Sequence, residues 1–123
     1  MKKPLILRTV YGPECRVVAK RSTYQDNGSL AVILFDSNTN EEVMTITVNL
    51  DFSLPVCMYP DDEVYQYVNQ NHWEQYGFEG TAVEWLKKNG FGTYIEGRGD
   101  RSGFCFYPLF QFSKSKLNEM EKL

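Results

Sequence analysis

The sequence is short of the residues that most often do chemistry. Its 123 residues hold one histidine and three cysteines. Cys15, Cys57 and Cys105 lie far apart, so no Cys-x-x-Cys pair exists to grip a metal or to cycle as a dithiol. An odd cysteine count fits reduced thiols and gives the expectation of a cytoplasmic protein. Long apolar runs are missing too. No stretch approaches the roughly 20 residues of a membrane helix. The opening "MKKPLILRTVYG" has an apolar run that Arg8 interrupts, too short for the core of a secretory signal. Excess positive charge is absent, with a formal net charge of −3. A nucleic-acid binder usually shows a basic field, so nucleic acid is disfavoured as a partner.

What is present describes a folded chain. The composition is 42% hydrophobic and 24% charged, with 15% aromatic residues to fill a core. The length suits one domain, residues 1–123. The runs 4–11, 15–24 and 30–35 read as strands. Asn27-Gly28 between the last two is a hairpin signal, because both residues accept positive φ. "LAVILF" (30–35) is continuously apolar, as in a central strand covered on both faces. "VMTITVNL" (43–50) alternates, which puts Ile46, Val48 and Leu50 on a buried face and Thr45, Thr47 and Asn49 on a wet one.

Residues 51–62 read as a loop and 63–69 as a strand. The segment 70–80 reads as an ordered aromatic loop. A helix is predicted over 82–89, with Thr81 as N-cap, Glu84 completing a capping box and Gly90 just past the end. "GTYIEG" (92–97) and "GFCFYPLFQF" (103–112) read as two more strands, with Phe104, Phe106, Phe110 and Phe112 on one face. Pro108 marks an edge or a bulge. The tail 113–123 reads as a short helix that docks or frays. This order predicts an α+β fold: a mostly antiparallel sheet of about five strands with one principal helix on one face.

"GRGDRSGF" (97–104) has the composition of an anion site, with Arg98 and Arg101 for charge, Ser102 for a hydroxyl and glycines to free backbone N–H groups. Phosphate loops lead into a helix, whereas this one leads into a strand. A hairpin turn, with Asp100 making turn hydrogen bonds, is the plainer reading. His72 could serve as a general base beside Trp73, but no nucleophile signature accompanies it. Asp61, Asp62 and Glu63 lack the spacing of a calcium loop and read as a solvated acidic turn. Tyr65, Tyr67, Trp73, Tyr76 and Phe78 fit either core or a stacking platform. No cofactor or metal is expected.

Taken together, "NGSLAVILFDSNTNEEVMTITVNL", "KKNGFG" and "GRGDRSGFCFYPLFQFS" resemble an uncharacterised domain-of-unknown-function family. Its members are small proteins carried by conjugative elements, plasmids and phages of gut and related bacteria. The matching pieces cover about two-thirds of the chain in order, and Arg101 to Phe112 is the most distinctive. The resemblance breaks at 66–80, where "QYVNQNHWEQYGFEG" is longer, so it assigns His72 and Trp73 no role. It implies a cytoplasmic accessory protein without enzymatic activity. The sequence therefore points to a chain that binds a macromolecule, a protein first. The candidate surface is Arg98, Asp100, Arg101, Ser102, His72 and Trp73. The alternative is nucleic acid held by Arg98, Arg101 and the strand residues Arg16, Lys20 and Arg21; a thiol- or histidine-dependent enzyme is the least favoured.

Overall fold

The computed structural model describes residues 4–12, 14–24, 30–48, 65–102 and 105–123, with backbone alone for 96–102 and 105. The first sheet runs in the order β1 (Leu5–Arg8), β2 (Glu14–Thr23), β3 (Leu30–Asp36), β4 (Glu42–Thr45). All of these pairs are antiparallel. β3 is central, and Leu30, Ala31, Val32 and Leu34 are buried along it, as its unbroken apolar run requires. Residues 25–28, the expected hairpin turn, lie outside the described residues, but the strands on either side pair from Thr23↔Leu30 onward.

The alternating segment after Glu42 does not stay in one sheet. β4 stops at Thr45, and β5 (Thr47–Val48) begins a second sheet in the order β5, β6 (Tyr65–Val68), β8 (Cys105–Phe112), β7 (Gly92–Ser102). Ile46 is the corner between them. Its N–H donates to Val32 O at 2.9 Å in the first sheet, and its C=O accepts from Asn69 N at 2.8 Å beside the second. The expectation that Thr47 faces water is corrected by this switch, since Thr47 is only 1% exposed. Its hydroxyl oxygen accepts from Val32 N at 3.1 Å and is hydrogen-bonded to the Tyr24 hydroxyl at 3.1 Å. Gln66 is buried beside it, donating from Nε2 to Leu30 O at 2.7 Å while Oε1 accepts from Tyr67 N at 3.0 Å. A seam of satisfied polar groups thus stitches the sheets where a purely apolar joint would strand backbone donors. Asn49 and Leu50 lie outside the described residues.

The main core lies between the sheets and the helices, with Leu7, Val17, Leu34, Ile46, Leu86, Phe91, Phe110 and Phe112 in it. A smaller cluster on the other face of the second sheet buries Tyr67 and Leu109. Phe106, expected on the Phe110 and Phe112 face, stays exposed near the far end of the hairpin. β7 runs as a strand through Ser102, so 97–102 is strand and not loop, with Gly99 to Ser102 paired to β8. The pairing shifts between Tyr94↔Phe110 and Gly99↔Pro108. Pro108 therefore sits at the bulge against β7, one residue past the end of the β6 ladder at Leu109, where a missing N–H is tolerated.

α2 (Ala82–Lys88) is the principal helix and follows its signals. Thr81 Oγ1 accepts from Glu84 N at 3.1 Å. At the other end Gly90 N donates to Lys87 O and Phe91 N to Leu86 O, the paired bonds of a glycine-terminated helix. Ala82, Val83 and Leu86 form its buried face. Within the expected loop 70–80 the chain instead makes a six-residue helix, α1 (Gln70–Gln75). The tail docks: α3 (Lys114–Glu119) buries Leu117, and β9 (Glu121–Lys122) pairs parallel with β2 at Lys20 and Arg21.

Candidate functional site

The site grows from where the N-terminal strand meets the connector between α1 and α2. Past Arg8 the chain pairs antiparallel with residues 77–79 through a bridge between Thr9 and Phe78. Glu79 N donates to Arg8 O and Val10 N to Gly77 O, both at 2.8 Å. Trp73 anchors the connector from inside. It is 1% exposed, donates from Nε1 to Gly80 O at 3.2 Å, and packs on Phe78 at 5.0 Å and Trp85 at 5.8 Å between ring centroids. Gln70 ties α1 to α2, its Oε1 accepting from Ala82 N at 2.8 Å.

Two surface features result. One is an exposed corner: Val10 (62% exposed), Tyr11 (82%) and Tyr76 (51%) gather about Gly77. Gly77 has φ +76, and a Cβ there would sit 2.8 Å from Tyr11 Cε2, so the tyrosine ring lies directly on the glycine. The other is an open groove of about 1010 Å³ between β1 and α2, with Leu5, Ile6 and Arg8 on one wall and Thr81, Trp85 and Lys88 on the other. Trp85 is pinned there by its Nε1 donating to Ile6 O at 2.8 Å and by stacking on Phe91.

A family model described as Domain of unknown function (DUF4313) matches residues 19–122. The chain belongs to that family. Comparisons with curated proteins and with solved structures found no match. β1 and the first half of β2 precede the residues that match the DUF4313 model, so the corner and groove combine residues from outside the match, Pro4 to Tyr11, with residues inside it, Tyr76 to Lys88.

Of the residues singled out by sequence, His72 is exposed on α1. Asn69 Nδ2 is hydrogen-bonded to its Nδ1 at 3.0 Å. Its ring meets Tyr76 edge-on at 6.3 Å. No thiol or carboxylate among the described residues is hydrogen-bonded to it. Trp73 is corrected from surface to core. The backbones of Arg98, Asp100, Arg101 and Ser102 lie in β7, the last three opposite Tyr107, Phe106 and Cys105; their side chains lie outside what is described. Cys57 and the acidic run at 61–63 do as well. Among the described residues no group of three metal-ligating side chains converges.

The three strand cations do not make one patch. Arg16 is exposed, whereas Lys20 is spent on Glu121 at 2.9 Å, on Asn40 Oδ1 at 2.9 Å and on the Phe35 ring. Arg21 shares the strand face of buried Val17, and its Nε is buried without a partner among the described residues. Cys15 is partly buried, and its thiol lies 3.7 Å from Asp36 Oδ2. Burial first, then the Asp36 charge, pushes the thiol pKa up, away from the reactive thiolate. Asp36 is held low by backbone N–H groups of Thr39 and Asn38.

The corner and groove could not be found by local pattern, because their halves are about 70 residues apart in sequence. The visible hints were Tyr11 beside a Gly-Pro turn and the aromatic density of 70–80.

Proposed function

We propose that this family member is a non-enzymatic accessory protein that binds a protein partner through the corner of Val10, Tyr11 and Tyr76. The carrying observation is the joint exposure of three large side chains on a backbone-bonded frame. Clustered apolar surface on a soluble chain marks interaction sites, and tyrosine is enriched where binding energy concentrates. The Tyr11 ring already rests on Gly77, so docking orders it at small entropic cost. Exposed His72, edge-on to Tyr76, adds a polar ring at the rim. No described helix is long and apolar enough to cross a membrane. The setting, a bacterial cytoplasm and an accessory gene of a mobile element, rests on the sequence resemblance.

The test is affinity capture from host cells with the wild-type chain and a Tyr11→Ala/Tyr76→Ala double variant. A protein retained by the first and lost by the second supports the reading. Equal retention by both refutes it. Retention of nucleic acid alone, falling steeply with salt, replaces it with the alternative.

A further inference from the structure

We infer that the outer edge of β1 at Ile6 takes an extended segment of the partner as an added strand. This rests on the protein-binding reading and names the form of the bound segment. The N–H and C=O of one strand residue point to the same side. Ile6 C=O faces the groove, because it accepts from Trp85 Nε1. Ile6 N–H therefore faces the groove as well, and no described residue accepts from it. Farther along, the same edge is already paired in ladder geometry, with Arg8 O bonded to Glu79 N and Val10 N to Gly77 O. The groove continues that line past Leu5 to Pro4, where the missing N–H ends the ladder.

What the edge offers is a backbone donor in register with a strand, and an extended backbone is the chemistry that matches it. A helix has no free main-chain acceptor along its length to give Ile6. The indole N–H at Ile6 O stands where a neighbouring amide would stand, so half of the edge position is capped and half is open. Such an edge is guarded against indiscriminate pairing while still receptive to a chosen segment. Charges of both signs, Arg8 and Lys88 with Glu79 and Glu84, line the groove.

The experiment selects a phage-displayed random peptide library on the full chain. The winning peptide is then made with single backbone N-methyl groups at each position. Strand addition predicts losses of roughly tenfold at every second residue. It also predicts that the Ile6 amide becomes protected from hydrogen exchange when the peptide is bound. Ile6→Pro should abolish binding and Ile6→Ala should retain it. Because Ile6→Pro is a strained substitution, the exchange measurement on the unaltered chain decides if that variant unfolds. No selected peptide, or a bound peptide that leaves the Ile6 amide exchanging freely, overturns the inference. If the captured cellular partner still depends on Tyr11 and Tyr76 while Ile6 stays unprotected, strand addition fails and the corner reading survives. If neither dependence appears, both fail.

Discussion

The indole nitrogen of Trp85 donates to the backbone carbonyl of Ile6 at 2.8 Å, across 79 residues of sequence. This bond joins the principal helix to the N-terminal strand and fixes one wall of the groove against the other. Trp85 also packs between Trp73 and Phe91. Its ring therefore supplies packing, and its N–H supplies position.

Replacing Trp85 by Phe separates the two roles. The ring contacts largely remain, while the Ile6 carbonyl loses its donor at a half-wet edge. The expected cost is about 1 kcal/mol in urea unfolding. Unchanged stability would mean that the bond carries no net weight.

Thr47 gives a sharper contrast. Thr47→Val keeps the shape but leaves Val32 N–H and the Tyr24 hydroxyl without their partner in a buried joint. We expect a loss of about 1–3 kcal/mol. Thr45→Val, one step before the corner, should change stability by less than about 0.5 kcal/mol. Equal effects at the two sites would contradict the sheet switch at Ile46.

Glycines separate by space as well as by φ. A Cβ on Gly92 would lie 2.0 Å from the Gln111 carbonyl oxygen, and on Gly90 it would meet nothing within 4 Å. Gly90→Ala should cost about 1 kcal/mol for its left-handed backbone. Gly92→Ala should cost about 4 kcal/mol or abolish folding, because the close neighbour is backbone that cannot swing away. Thermal unfolding of the two variants side by side checks the order.

Asp36 links stability and thiol chemistry to pH. Its folded pKa lies below the usual aspartate value of about 3.9. The stabilisation it gives is therefore present above that value and is lost as pH falls through the folded one. Asp36→Asn should lower stability at neutral pH, with the gap closing in acid. The same change removes the charge that disfavours the Cys15 thiolate. Alkylation of Cys15, followed by peptide mass mapping, should speed up in the variant. A slower rate would contradict the assigned coupling.

Sequence made the local elements legible. Thr81 and Gly90 bracket a helix because caps act within a few residues, and the apolar run at 30–35 reads as a central strand because burial on both faces leaves no alternation. The corner at Ile46 was hidden, since the alternation through 43–50 looks the same whether the strand keeps one partner or changes it. Thr47 accordingly looked wet when its hydroxyl is a buried joint. α1 escaped because six residues are too few to show a helical period and Asn69 makes no side-chain cap. Trp73 was drawn to the surface by its polar neighbours, whereas its indole faces the core. The groove and corner depend on Thr9 meeting Phe78, a contact set by tertiary packing.

We propose the surface about Gly77 as an interface. The most direct measurement compares partner capture with folding stability in the Tyr11→Ala/Tyr76→Ala variant. Both side chains are exposed, so unfolding should shift by less than about 1 kcal/mol for the pair, while capture of the partner should fall to background. Undiminished capture by an equally stable variant would contradict the account.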